Sequence, residues 1–174
     1  MTGYVNGSDV LCKIGSGQNA GAIGHCTSHT ATYNTETKDI AVKPLASVDA
    51  SAASFWKNKR IVGLSMQVKV EGMKFYSETE SGFVKILGAW KSGQSIQLSL
   101  FERENDAAPY ASGNFVISSL EESNPAGDDA TYNATFDNDG AIKIDETKLD
   151  LLAASSGSGN GSGNGSGSGN GSQS

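Results

Sequence analysis

The stretch Leu64-Ser-Met-Gln-Val-Lys-Val-Glu71 decides the fold class. Leu64, Met66, Val68 and Val70 alternate with Ser65, Gln67, Lys69 and Glu71. A period of two sustained over this stretch sets one face on a core and leaves the other in water. The same alternation recurs on both sides of it. Val10, Cys12 and Ile14 alternate with Leu11 and Lys13, and Ile96, Leu98 and Leu100 with Gln97 and Ser99. Further strands are expected over 114–120, 131–136 and 141–144. The run 23–37, heavy in Thr, His, Tyr and Ser, fits a strand with few large apolar groups.

A helix interrupts this pattern. Ser77 and Glu80 have the spacing of a capping box, in which each side chain satisfies a free backbone N–H. Phe83, Ile86, Leu87 and Trp90 follow as one apolar stripe, expected to pack on the sheet, and Gly93 stands where a left-handed residue ends a helix. The segment 39–61 reads as a long loop, with a short helix at 50–57 capped by Asp49. The fold class is therefore mainly β: an antiparallel β-sandwich or open barrel with one packed α-helix.

Of the 174 residues, 155–174 contain only Gly, Ser, Asn and Gln. We read residues 1–154 as a single β domain and 155–174 as a flexible tail. No apolar run approaches the ~18 residues that cross a bilayer, and the N-terminus lacks the basic and apolar regions of a signal peptide, so synthesis in a cytoplasm is expected. Cys12 and Cys26 are too few for a disulfide scaffold. A formal net charge of -6 disfavours a grip on nucleic acid. Charge is uneven: residues 1–101 carry 10 basic and 7 acidic side chains, net +3, whereas 102–150 carry 3 and 12, net -9. Unlike faces permit heterologous association, but two solvated surfaces are the simpler reading of charge alone.

Signs of catalysis are thin. His25, Cys26 and His29, with Cys12 as a fourth ligand, suggest zinc, but strand geometry would disperse them. Gly15, Gly17 and Gly21 have the wrong spacing for a phosphate loop, with no helix after them. Asp137, Asp139, Gly140 and Glu146 match part of a calcium loop, yet Thr135 occupies its first position. A tight turn joining 132–136 to 141–144 is the simpler reading. Phe55, Trp56, Lys57, Lys59 and Arg60 form a basic-aromatic patch better suited to a protein interface than to nucleic acid.

Taken in order, these pieces resemble the major tail proteins of long-tailed bacteriophages. The resemblance runs from about Asp9 to Leu152. It rests on Ile23-Gly-His-Cys-Thr-Ser-His-Thr-Ala-Thr-Tyr33 with Glu36-Thr-Lys-Asp39, then Ile61 to Gly72, then Phe83 to Gly93 followed by the strand to Glu102. It closes on Ser119-Leu-Glu-Glu-Ser and Asp129 to Gly140. The resemblance implies a structural protein without active site, metal or cofactor. Its partners would be copies of itself in rings, commonly of six, and tail proteins such as tip and terminator. DNA would pass through the lumen without specific binding, and no membrane would be involved. It further implies contacts between rings through the loop bearing Asp39, Phe55, Trp56, Lys57, Lys59 and Arg60. Ser65, Gln67, Lys69 and Glu71 would point to the lumen or a subunit boundary. The inner-tube protein of a contractile injection system shares this fold. A monomeric β-sandwich binding or adhesin module is the alternative from another class.

Overall fold

The computed structural model describes residues 5–15, 20–40, 58–75, 82–103 and 108–149. Among these residues eight strands and one α-helix follow in chain order: β1 (Val10–Ile14), β2 (Gly21–Ala22), β3 (Cys26–Ile40), β4 (Asn58–Met73), α1 (Phe83–Ser92), β5 (Ile96–Glu102), β6 (Ala111–Ser123), β7 (Thr131–Asn138) and β8 (Lys143–Ile144). They form a single sheet in the order β2-β1-β5-β6-β7-β4-β3, with β8 beside β6, and each pairing is antiparallel. The mainly β class read from period-two alternation is the class observed.

The sheet curls so that one face encloses the core. Met66 and Val68 of β4 share a cluster with Leu98 and Leu100 of β5, although β6 and β7 lie between them in the sheet. Val68 stands opposite Phe136 and Val70 opposite Ala134, and all four are fully buried. Cys12, Ile14, Ala111, Phe115 and Tyr132 complete the centre. Burial of these side chains contributes on the order of 1.5–3 kcal/mol for each large apolar group.

The helix begins later than the capping-box spacing predicts. Its N-cap is Gly82, which makes no side-chain cap bond, and Ser77 and Glu80 lie outside the described residues. The end is as expected: Gly93 adopts φ 66° and its N–H returns to the carbonyls of Ala89 and Trp90. Of the predicted stripe, Phe83 and Ile86 are buried, with the Phe83 ring 5.8 Å from that of Tyr132. Leu87 and Trp90 are 40% and 52% exposed. A short helix touching the sheet through its first half cannot bury both ends of its stripe.

Two strand expectations need correction. Residues 137–140 do not turn β7 back on itself. β7 ends with Asn138 opposite Phe115, and β8 continues along the same strand, with Lys143 opposite Ser112. The bend between them is held by Asp139 N–H donating to Asn114 O at 2.7 Å and by Gly140 at φ 88°. Ile142 then packs onto Gly113, where a Cβ would collide with its Cδ1. The second correction concerns 39–61. Its ends are not loop: Ile40 pairs with Asn58 and Asp39 with Lys59, so β3 runs three residues past the expected 23–37 and β4, with 16 residues, extends well before the 64–71 alternation.

Candidate functional site

The face of the sheet turned away from the core is polar across four strands. Cross-strand neighbours share a face, so the pairing register defines its rows. Thr32, Gln67, Asp137 and Val116 form one row, Thr30, Lys69, Thr135 and Ser119 the next, and Ser28, Glu71, Asn133 and Glu121 a third. Asn34 and Ser65 extend it along β3 and β4. Side-chain bonds join neighbouring strands within these rows. Gln67 Nε2 donates to Asp137 Oδ1 at 2.8 Å, and Ser28 Oγ donates to Glu71 Oε2 at 3.2 Å. Val116 is the one apolar side chain in these three rows. The structure therefore brings Ser65, Gln67, Lys69 and Glu71 onto one surface, as alternation predicts. It adds Ser28, Thr30, Thr32, Asn133, Thr135 and Glu121, which no single-strand pattern could align.

Among the described residues this four-stranded region has two free edges. β3 is the last strand of the sheet over its 15 residues. At the other side β6 pairs with β5 through Phe115 and with β7 beyond it. From Val116 to Ser123 its second edge carries no strand among the described residues. Such edges present rows of free N–H and C=O groups and are templates for pairing with another chain.

An arm projects from the same region. β7 accompanies β4 only from Gln67 to Met73, so among the described residues 58–65 pairs with β3 alone. These eight residues span roughly 26 Å at ~3.3 Å per residue. Tyr33, Ile61 and Leu64 lie 55%, 63% and 74% exposed along it. Leu64 keeps the face of Met66 but not its burial, which corrects the expectation that it joins the core. Of the predicted contact loop, Asp39, Lys59 and Arg60 belong to this arm, and Phe55, Trp56 and Lys57 lie outside the described residues. A two-stranded ribbon is marginal in water unless a further surface covers it.

Between β1 and β2 at one end of the sheet and β3 at the other runs a groove of about 570 Å³, lined in part by Cys12, His25, Cys26, His29 and Arg103. The zinc candidates do not assemble there. His25 sits in the turn before β3 at φ 55°, its ring 4.2 Å from that of Phe75, and the Cys26 thiol donates to Ser28 O at 3.2 Å. Burial lowers the pKa of His29 and raises that of Cys26. Among the described residues no group of three or more His, Cys, Asp or Glu side chains is arranged to hold a metal ion. The calcium-loop residues Asp137 and Asp139 are divided between the polar face and the bend after β7.

A polar sheet face bounded by free edges among the described residues, with an arm that exposes Ile61 and Leu64, describes a subunit built for assembly. The sequence profile described as phage tail tube protein matches residues 4–144. The chain belongs to the phage tail tube protein family. It is thus a structural protein of the virion tail and not an enzyme. No curated protein matches it in sequence. Among solved structures, this tail tube protein resembles the tail of an empty gene transfer agent particle, with 18% identity and a TM-score of 0.65 over 82% of this chain and 99% of that one. The SPP1 tail tube follows, with 17% identity and a TM-score of 0.56 over 85% and 87%. The tube-terminating cap of the anti-feeding prophage also shares the fold, with 12% identity and a TM-score of 0.52 over 83% and 94%.

Proposed function

We propose that copies of this tail tube protein join edge to edge into a closed ring, and that rings stack into a hollow conduit for DNA. The observation that carries this is the polar four-strand face flanked by free edges at β3 and β6. Pairing β6 of one copy with β3 of the next satisfies both edges and closes the sheet into a barrel, so no edge is left. The core side of each copy then faces outward under α1, and the polar face bearing Gln67, Lys69 and Glu71 faces the lumen. Hydroxyl, amide and carboxylate groups there offer phosphates no dense cationic grip, so DNA slides. The gene transfer agent tail is described with C6 symmetry, which supports six copies per ring. The arm, with Asp39, Lys59, Arg60 and the adjoining segment bearing Phe55, Trp56 and Lys57, reaches the neighbouring ring. Tip and terminator proteins would cap the two ends.

Size-exclusion chromatography with light scattering, joined to negative-stain microscopy across concentration, tests this. Uniform hollow tubes or rings are expected, from the bare subunit or from subunit added to tail-tip seeds. A protein that stays monomeric and never extends a seed would overturn it.

A further inference from the structure

The polar face carries a charge polarity that the strand register reveals. Lys38 lies directly opposite Arg60, near the outer end of the arm. Like charges facing each other across a strand pair destabilise it. The next pair outward, Asp39 and Lys59, is complementary and needs no partner. At the opposite end of the same sheet the sign reverses. β4 runs from the arm to Met73, which stands opposite Thr131, so the turn joining β6 to β7 lies at the pole farthest from the arm. Exposed Glu121 stands near the end of β6 there, opposite Asn133, and exposed Asp128 and Asp129 lie in the turn itself. Glu122 is set apart, its carboxylate held by Lys74 at 3.0 Å.

From this register we infer that rings stack head to tail through charge: Lys38 and Arg60 of one copy dock against Glu121, Asp128 and Asp129 of a second copy in the next ring. The inference rests on the stacked-ring reading above and names the two poles that meet. Two surfaces of unlike sign at opposite ends of one subunit make a heterologous contact, which propagates as a filament and cannot close on itself as a face-to-face pair. The Lys38–Arg60 repulsion weakens that rung of the arm in the free subunit, and docking against carboxylates relieves it.

Charge reversal on the full chain tests this. Lys38→Glu with Arg60→Glu, and separately Glu121→Lys with Asp128→Lys and Asp129→Lys, should each cut tube yield at least tenfold at low salt. The melting temperature of the monomer, measured alongside, should stay within a few degrees of the wild type, since all five positions are exposed. The chain carrying both sets should regain tubes. K38E/R60E monomers mixed with wild-type tubes should add at the arm-bearing end alone and stop growth there. Either single-pole variant assembling like wild type, or a folded five-site variant that fails to assemble, would overturn the inference while leaving the tube intact. Normal assembly of K38E/R60E with loss of DNA retention would reassign the pair to nucleic acid and overturn it too. A wild-type chain that forms no tube at any salt would remove the stacked-ring reading itself, and this inference with it.

Discussion

Gly72 of β4 lies opposite Tyr132 of β7, and a Cβ at residue 72 would stand 2.8 Å from the phenol oxygen. The same Cβ would come within 2.9 Å of the His25 carbonyl, which is backbone and cannot swing aside. The phenol oxygen is itself buried without a hydrogen-bond partner. Gly72→Ala should therefore lower unfolding free energy by about 1–3 kcal/mol through overpacking. Tyr132→Phe, which removes the unpaired hydroxyl and keeps the ring, should leave stability unchanged or raise it by about 1 kcal/mol. Urea unfolding of the two variants would decide; a Tyr132→Phe loss above 1.5 kcal/mol would reveal a partner for that hydroxyl.

The helix gives a contrast within one stripe. Ile86 is fully buried while its neighbour Leu87 is 40% exposed over a cleft shared with Trp90 and Leu120. Ile86→Ala should cost about 2–5 kcal/mol and Leu87→Ala well under half as much. Equal losses would mean that α1 packs through its whole stripe.

Alkaline pH should weaken the fold. Burial, followed by the neighbouring Cys26, pushes the Cys12 thiol from 9.0 up to about 12. Burial also raises Tyr110 to about 12, with Tyr33, Cys12 and Glu102 adding to it. Each acid keeps in the folded state a proton that the unfolded chain releases. Stability from Cys12 is therefore whole below pH 9 and falls as pH rises from 9 towards 12, by up to about 1.4 kcal/mol per unit. The urea midpoint should hold from pH 7 to 8.5 and then decline, and Cys12→Ala should flatten that decline. A flat profile through pH 11 in the wild type would refute the buried-thiol account.

Arm residues should separate folding from assembly. Ile61→Ser with Leu64→Ser removes exposed apolar surface, so monomer stability should change by less than about 0.5 kcal/mol while tube yield falls sharply. Phe55→Ala with Trp56→Ala is expected to act the same way. Deleting 155–174 should alter neither folding nor assembly, because Gly, Ser and Asn offer no apolar burial. Light scattering and microscopy of each variant beside a thermal melt would check all three, and an unstable Ile61/Leu64 monomer would place those residues in the subunit's own core.

What the sequence made legible was the part that a core imprints. Met66, Val68 and Val70 alternate because one side of β4 is buried, and Leu98 and Leu100 repeat that signal in β5. The arm was not legible. Thr37, Lys38 and Asp39 on one strand, and Lys59, Arg60 and Ile61 on the other, have no buried side within the subunit to impose a period. Leu64 kept the apolar pattern past the end of β7, where no strand of the subunit covers it among the described residues. The bend at 137–140 carried the residues of a hairpin turn, but β6 is long enough to hold both β7 and β8, so tertiary pairing overrode local turn chemistry. The capping-box spacing at Ser77 and Glu80 was likewise a local signal, and Gly82 begins the helix instead. The polar face was half legible: its β4 row was visible, whereas its alignment with β3, β6 and β7 depends on a register that no single strand encodes.

Cryo-electron microscopy of the assembled protein tests the central claim most directly. It should reveal a hollow tube with Gln67, Lys69 and Glu71 lining the lumen, β6 paired to β3 of the adjacent copy, and the 58–65 arm crossing to the next ring. A wall with that polar row turned outward, or rings joined through edges other than β3 and β6, would contradict the account.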